Sequence, residues 1–259
     1  MILDDIADFT RTRVEALKKA KSLYAVRDEA EGRPAGKDFY GALAAPGLSV
    51  IAELKKASPS KGLIAPDFEQ IFLDKARQYE EGGAAAISCL TEPKFFLGSD
   101  QYLMQARAAV ELPILRKDFT IDEYQIYEAK CIGADAVLLI CSLLSQGQLQ
   151  EYLCQAHELG LSALVEAHDA DEVNAALAAG ANIIGVNNRN LKDFTVNPLN
   201  SLRLREQIPA DKIFVAESGI AQASDCAGLK AAGVQAVLVG EALMRSADAA
   251  AMLKEMRDA

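Results

Sequence analysis

Eight short runs of Val, Ile, Leu and Ala recur every 21 to 36 residues along this 259-residue chain, and they constrain its fold more than any other feature. They are 48–54 (LSVIAEL), 84–90 (AAAISCL), 113–119 (PILRKDF), 136–142 (AVLLICS), 162–168 (SALVEAH), 183–189 (IIGVNNR), 213–219 (IFVAESG) and 236–242 (AVLVGEA). Apolar runs of this length suit strands buried on both faces. Helix-compatible stretches lie between them; in 67–82 the apolar Phe68, Ile71, Phe72 and Tyr79 share one helical face. Several of these stretches end in a glycine just before the next run, at 81–84 (EGGA), 132–134 (IGA), 179–181 (AGA) and 232–234 (AGV). Such glycines suit left-handed helix caps.

Strand, helix, glycine cap and strand again give parallel strands with helical crossovers, either closed as a barrel or left as an open doubly wound sheet. Eight units favour the α/β (β/α)8 TIM barrel. No GxGxxG follows the first run, and neither a P-loop nor a Pro/Ser-rich linker is present. The expectation is a single barrel domain over 1–259, with residues 1–47 as an N-terminal helical extension. In that extension Leu3, Ile6, Phe9, Val14 and Leu17 recur at amphipathic spacing. It could plug or flank the barrel, or help to cover a ligand.

Bulk properties exclude several function classes. No apolar run approaches the roughly 18 to 20 residues that span a bilayer, and the start, Met1-Ile2-Leu3-Asp4-Asp5, is acidic where a secretory signal is basic. A cytoplasmic protein is expected. The formal net charge of −10 argues against a nucleic-acid partner. Cys89, Cys131, Cys141, Cys154 and Cys226 form no CxxC and read as buried, reduced thiols. His157 and His168 have no partner at metal-ligand spacing, so no metal site is expected.

Barrel strands are apolar except at the C-terminal ends, where catalytic groups sit. Period-two alternation puts Ile51, Glu53 and Lys55 on one face of the first strand. By the same rule Leu115, Lys117 and Phe119 share a face, as do Glu166 with His168, Asn187 with Arg189, and Glu217 with Gly219. A buried charge costs several kcal/mol unless paired or solvated. Three carboxylates and two lysines at strand ends therefore point to acid/base chemistry. Glycine-rich turns follow the first strand (Ser58-Pro59-Ser60-Lys61-Gly62), the seventh (Ser218-Gly219) and the eighth (Gly240-Glu241). The loops after strands seven and eight are the usual phosphate site of this fold.

Seven segments carry a resemblance to the indole-3-glycerol phosphate synthase family: VIAELKKASPSKG (50–62), LTEPKFFLG (90–98), PILRKDF (113–119), LVEAH (164–168), IGVNNRNL (184–191), VAESGI (215–220) and VLVGEALMR (237–245). The resemblance implies a lyase of tryptophan biosynthesis that closes the ring of 1-(2-carboxyphenylamino)-1-deoxyribulose 5-phosphate, losing carbon dioxide and water. It implies no metal and no organic cofactor. Lys117 would be the general acid, and Glu166 would stabilise the cationic intermediate and share in the dehydration. Glu53 and Lys55 match the first-strand pair, with the carrier of the second proton left open among Lys55, Glu53 and Glu166. Asn187 and Glu217 would position the sugar hydroxyls and the acid/base network. Arg189 would take the anthranilate carboxylate through its planar fork. Ser58 and the backbones of Ser218, Gly219, Gly240 and Glu241 would take the phosphate, and Phe96 and Phe119 would sandwich the aromatic ring.

Two departures from the family pattern are Lys56, where arginine is common, and Ala242, where serine is frequent. With room for one barrel, the chain is expected to be monofunctional. The expected partners are a small phosphorylated substrate, neither nucleic acid nor membrane, in a monomer or a homodimer. The residues alone also fit a class I aldolase with a Schiff-base lysine, a lyase or isomerase acting on a neighbouring phosphorylated intermediate, or a barrel that binds phosphorylated ligands without turnover.

Overall fold

The computed structural model describes residues 2–190 and 194–259; Met1 and Leu191, which enter the N-terminal and sixth-strand readings, lie outside them. Strands β1 (Ser49–Leu54), β2 (Ala86–Leu90), β3 (Ile114–Lys117), β4 (Ala136–Ile140), β5 (Ser162–Ala167), β6 (Ile183–Asn187), β7 (Ile213–Glu217) and β8 (Ala236–Val239) correspond to the eight runs. They close into one barrel in chain order, β8 pairing with β1, and every neighbouring pair is parallel. The closed α/β barrel expected from the rhythm is therefore the fold, and the open sheet is not.

Period-two alternation sorts each strand between two apolar layers. Ile51, Leu115, Leu138, Leu164, Ile183, Val215 and Leu238 fill the barrel, while Val50, Leu54, Ile87, Val137, Val165, Ile184 and Val237 face the surrounding helices. Among those helices are α4 (Phe68–Glu81), α5 (Asp100–Ala109), α6 (Glu123–Cys131), α7 (Gln146–Glu158), α8 (Ala170–Ala178), α9 (Leu199–Leu204) and α10 (Ala223–Ala231), followed by α11 (Glu241–Arg245) and α12 (Ala249–Asp258). The predicted caps are present: Gly83, Gly133, Gly180 and Gly233 have φ between 76° and 89°. Gly160 does the same at φ 68°.

The strands stop earlier than the apolar runs. Their last residues are Leu54, Leu90, Lys117, Ile140, Ala167, Asn187, Glu217 and Val239. Lys55, Phe119, His168, Arg189, Gly219 and Gly240 are therefore loop residues rather than strand residues. Turn geometry ends the ladders; after β7, for example, Ser218 already has φ 68°.

Three helices precede β1: α1 (Ile2–Ala20), α2 (Leu23–Glu31) and α3 (Phe39–Leu43). Phe39 and Leu43 join the interior cluster with Ile51, Ala86 and Ile213, which plugs the N-terminal end of the barrel. Val26 and Ala30 of α2 pack with Val14 of α1 against Tyr124 and Tyr127 of α6. The extension thus both plugs and flanks the barrel. No helix among the described residues is long and apolar enough to cross a membrane. All five cysteines are free; Cys89, Cys141 and Cys226 are buried, whereas Cys131 is half-buried and Cys154 is exposed on α7, contrary to the expectation of five buried thiols.

Candidate active site

A cavity of about 760 Å³ opens at the C-terminal end of the barrel and is lined by every residue expected above to act on or bind the substrate: Glu53, Lys55, Lys117, Glu166, Asn187 and Glu217, with Ser58, Phe96, Phe119, Arg189, Ser218, Gly219, Gly240 and Glu241. Its size suits a drug-sized ligand. Glu53, Lys117, Glu166 and Glu217 reach it because each lies on the inward face of its strand, near the end, one pleat above an apolar residue.

Lys117 is the hub. Its Nζ donates to Oε2 of Glu217 at 2.6 Å and to Oε2 of Glu166 at 3.3 Å. Burial works against its charge, but Glu217, Glu166 and Glu53 outweigh it and hold the ammonium above the ordinary lysine range. Glu166 is buried too, yet Lys117, His168 and Asn187 keep its carboxyl below the usual carboxylate range. Its Oε1 accepts from Asn187 Nδ2 at 3.2 Å and lies 3.3 Å from Nε2 of His168. The Glu217 carboxyl is pushed the other way: burial raises it to about 7, with Lys117 pulling against and Glu166 adding to the rise. Three neighbouring ionisable groups are thus set apart by their surroundings, which is how acid and base roles can be divided.

Across the floor, Lys55 turns back from the loop to donate to Oε1 of Glu53 at 2.5 Å, and Ser88 Oγ lies 3.4 Å from the other oxygen. The chain at Gly240 passes directly over this pair, and a Cβ there would collide with Glu53 and Lys55. A side chain there would have to push the ends of both side chains aside, which glycine avoids. The loop after β1 is closed by a two-residue antiparallel ladder, Ala57–Ser58 with Gly62–Leu63, and Ser58 is buried within it. Lys56, the departure from the family pattern, pairs with Glu69 of α4 on the outside and leaves the cavity to its neighbours.

Arg189 is tied down from both ends: its backbone N–H donates to Oδ1 of Asn187 at 2.9 Å and Nη1 to the carbonyl of Phe194 at 3.1 Å. Phe96 and Phe119 touch each other, with centroids 5.8 Å apart and planes tilted by 41°. The pair forms one aromatic wall of the cavity.

Leu3 and Ile6 of the amphipathic extension line the cavity together with Ile2, so the extension also covers it, the further role considered from the sequence. Several residues were not anticipated. Asp118, between Lys117 and Phe119, accepts from Arg13 of α1 through both oxygens at 2.8 Å and from Thr91 at 2.7 Å. Arg116, on the outward face of β3, is buried and pairs with Asp100 and Glu128. Glu92 is fully buried and accepts the backbone N–H groups of Lys94, Phe95 and Phe96 at 2.6 to 2.9 Å, which fixes the loop that presents Phe96.

Comparison with known proteins identifies this arrangement. Residues 3–256 match the family model described as indole-3-glycerol phosphate synthase. The chain is 55% identical over 260 residues to the indole-3-glycerol phosphate synthase of Ruminiclostridium cellulolyticum, covering 99% of each chain. It is 53% identical over 260 residues to that of Endomicrobium trichonymphae, covering 100% of each. Among solved structures, 3-hexulose-6-phosphate synthase from Salmonella typhimurium superposes with a TM-score of 0.65 at 17% identity, covering 82% of this chain and 97% of that one. Thiamine phosphate pyrophosphorylase from Pyrococcus furiosus does so with a TM-score of 0.59 at 18% identity, covering 82% and 94%. Those two likenesses speak to the barrel alone. Agreement with the sequence relatives runs from the N-terminal helices to the last one, and the chain belongs to the indole-3-glycerol phosphate synthase family, carboxy-lyases of tryptophan biosynthesis.

Proposed function

We propose that the cavity closes the ring of 1-(2-carboxyphenylamino)-1-deoxyribulose 5-phosphate by general acid/base catalysis, with Lys117 as the acid. The observation that carries this reading is the position of its ammonium, donating to Glu217 and Glu166 at the cavity floor. As the aromatic carbon attacks the substrate carbonyl, negative charge grows on the carbonyl oxygen. A fixed ammonium stabilises that charge and then transfers its proton, because an alkoxide is more basic than a lysine amine. The same strong protonation argues against a Schiff-base role, which needs a neutral amine.

Loss of carbon dioxide restores aromaticity and leaves a hydroxyl to depart as water. The Glu166 carboxylate, held ionised, faces the cation formed on the way and shuttles a proton during the dehydration. Glu53 and Lys55 form the second acid/base pair. Asn187 and Glu217 hold the sugar hydroxyls, and the buried Oε1 of Glu217 has no partner among the described residues, leaving an acceptor for one of them. Arg189 takes the anthranilate carboxylate, and the aromatic ring lies on the wall of Phe96 and Phe119. The phosphate sits on Ser58 and on the backbones of Ser218, Gly219, Gly240 and Glu241. The chain works as one barrel domain with residues 1–47 as its helical extension, in the cytoplasm, as a monomer or a homodimer, without a nucleic-acid partner.

The test is to mix the purified protein with this substrate, with a chelator present, and follow indole fluorescence. Turnover is expected, and Lys117→Ala should lower kcat by about 10²- to 10⁴-fold. A folded protein that binds the substrate and makes no indole product would overturn the assignment.

A further inference from the structure

We infer that Asn188 is the positioning residue of the phosphate-holding turn: it fixes the peptide plane between Ser218 and Gly219 and so aims the Gly219 N–H into the cavity. The inference rests on the reading of that turn as the anion site. Asn188 is buried and lies outside the cavity lining, so any effect on ligand must pass through another group.

Its bonds define that path. The backbone N–H donates to the carbonyl of Glu217 at 2.8 Å, and its own carbonyl accepts from Asn197 N–H at 2.8 Å. Oδ1 accepts from the N–H and the hydroxyl of Ser201, a fully buried residue in α9, at 2.9 and 2.7 Å. Nδ2 donates to the carbonyl of Ser218 at 3.0 Å. Two donors on one side and an acceptor on the other fix the amide orientation, since a flipped amide would set N–H against N–H. The side chain therefore clamps the end of β7 to α9.

What it clamps is an improbable turn. Ser218, at φ 68°, is a non-glycine residue in the left-handed region, and Gly219 follows at φ 80°. Such a conformation is unfavourable for a side-chain-bearing residue and persists only where its surroundings impose it. In a trans peptide the C=O and the next N–H point in opposite directions. Holding the Ser218 carbonyl outward on Asn188 therefore turns the Gly219 N–H inward, where Ser218 and Gly219 line the cavity. Without that hold the peptide is free to rotate, because glycine accepts the changed φ.

Asn188→Asp is nearly isosteric, keeps the acceptor for Ser201 and replaces only the donor to Ser218. Asn188→Ser is the second variant, in case a buried carboxylate prevents folding. Ser201→Ala is the control: it removes a donor to Oδ1 and leaves the Nδ2 bond in place. Calorimetry with inorganic phosphate reports the phosphate end of the cavity and 2-aminobenzoate the ring end; steady-state kinetics give KM and kcat separately. The Asn188 variants should raise the phosphate Kd and the KM about tenfold or more, as loss of one buried hydrogen bond implies. The kcat and the aminobenzoate Kd should stay within about threefold, as should phosphate binding by Ser201→Ala. Unchanged phosphate affinity in a folded Asn188 variant, or equal loss at both ends, would overturn the inference, as would a wild-type protein with no affinity for phosphate. If phosphate binding depends on Asn188 but the wild type makes no indole product, the positioning role stands and the functional reading falls.

Discussion

Glu217 accepts from the Lys117 ammonium at 2.6 Å through Oε2, while its buried Oε1 has no hydrogen-bond partner among the described residues. Burial, opposed by Lys117 and reinforced by Glu166, pushes this carboxyl up to about 7. Above that pH the charged carboxylate orients Lys117; below it only a neutral carboxyl, a weaker acceptor, remains, and Glu166 is left as the charged partner of the ammonium. The plot of kcat/KM against pH should therefore fall on its acid side from near 7, about tenfold per pH unit. Glu217→Gln keeps a carbonyl acceptor at every pH, so its profile should be lower but flat across that range. An acid limb near 7 that survives in Glu217→Gln would assign it to another group.

His168 stands just outside the cavity, with Nε2 3.3 Å from Glu166 Oε1 and Nδ1 3.0 Å from Glu172 Oε2. Burial opposes its charge, but Glu166 and Glu172 outweigh burial and raise the imidazolium to about 10. A histidine raised in the folded state stabilises fully below its unfolded value of about 6.5 and loses that contribution as pH rises toward 10. Wild-type stability should therefore fall between these limits by on the order of a few kcal/mol relative to His168→Gln. Denaturant unfolding at pH 6, 8 and 10 measures the slope. Parallel slopes for the two proteins would mean that His168 is not held as a cation.

Much of this site was legible because a barrel strand has a simple rule: alternate residues point inward, and the last inward residue meets the ligand. Glu53, Lys117, Glu166 and Glu217 obey it. The rule is silent about the other face, where apolar residues are the expectation. Arg116 and Asp118 therefore went unread, although their charges are satisfied under the helices by Asp100, Glu128 and Arg13. Loop geometry was equally hidden. Nothing in the local sequence says that Glu92 collects three backbone N–H groups, or that Phe96 leans onto Phe119. Asn188 stands in a motif visible in the sequence, but its value lies in contacts with Ser201 and Ser218, 13 and 30 residues away. Of the extension, the amphipathic spacing revealed α1, whereas α2 and α3 are too short for periodicity to mark them.

The clamp between Arg13 and Asp118 ties α1 to the segment that carries Lys117 and Phe119, and Asp118 is almost wholly buried beneath it. Burial opposes ionisation of Asp118, but Arg13, Arg116 and Thr91 outweigh it and keep the carboxyl below its ordinary range. Arg13→Met removes one partner and leaves the other charge buried, a change that costs about 3 kcal/mol. It also loosens the helix that places Ile2, Leu3 and Ile6 over the cavity. The expected result is a lower unfolding midpoint together with a higher KM, and a smaller change in kcat because Lys117 keeps its contacts with Glu166 and Glu217. Asp118→Asn should fall between the wild type and Arg13→Met in stability, since the amide oxygen still accepts from Arg13. A variant that loses stability while KM stays at the wild-type value would show that α1 braces the barrel without helping to hold the substrate.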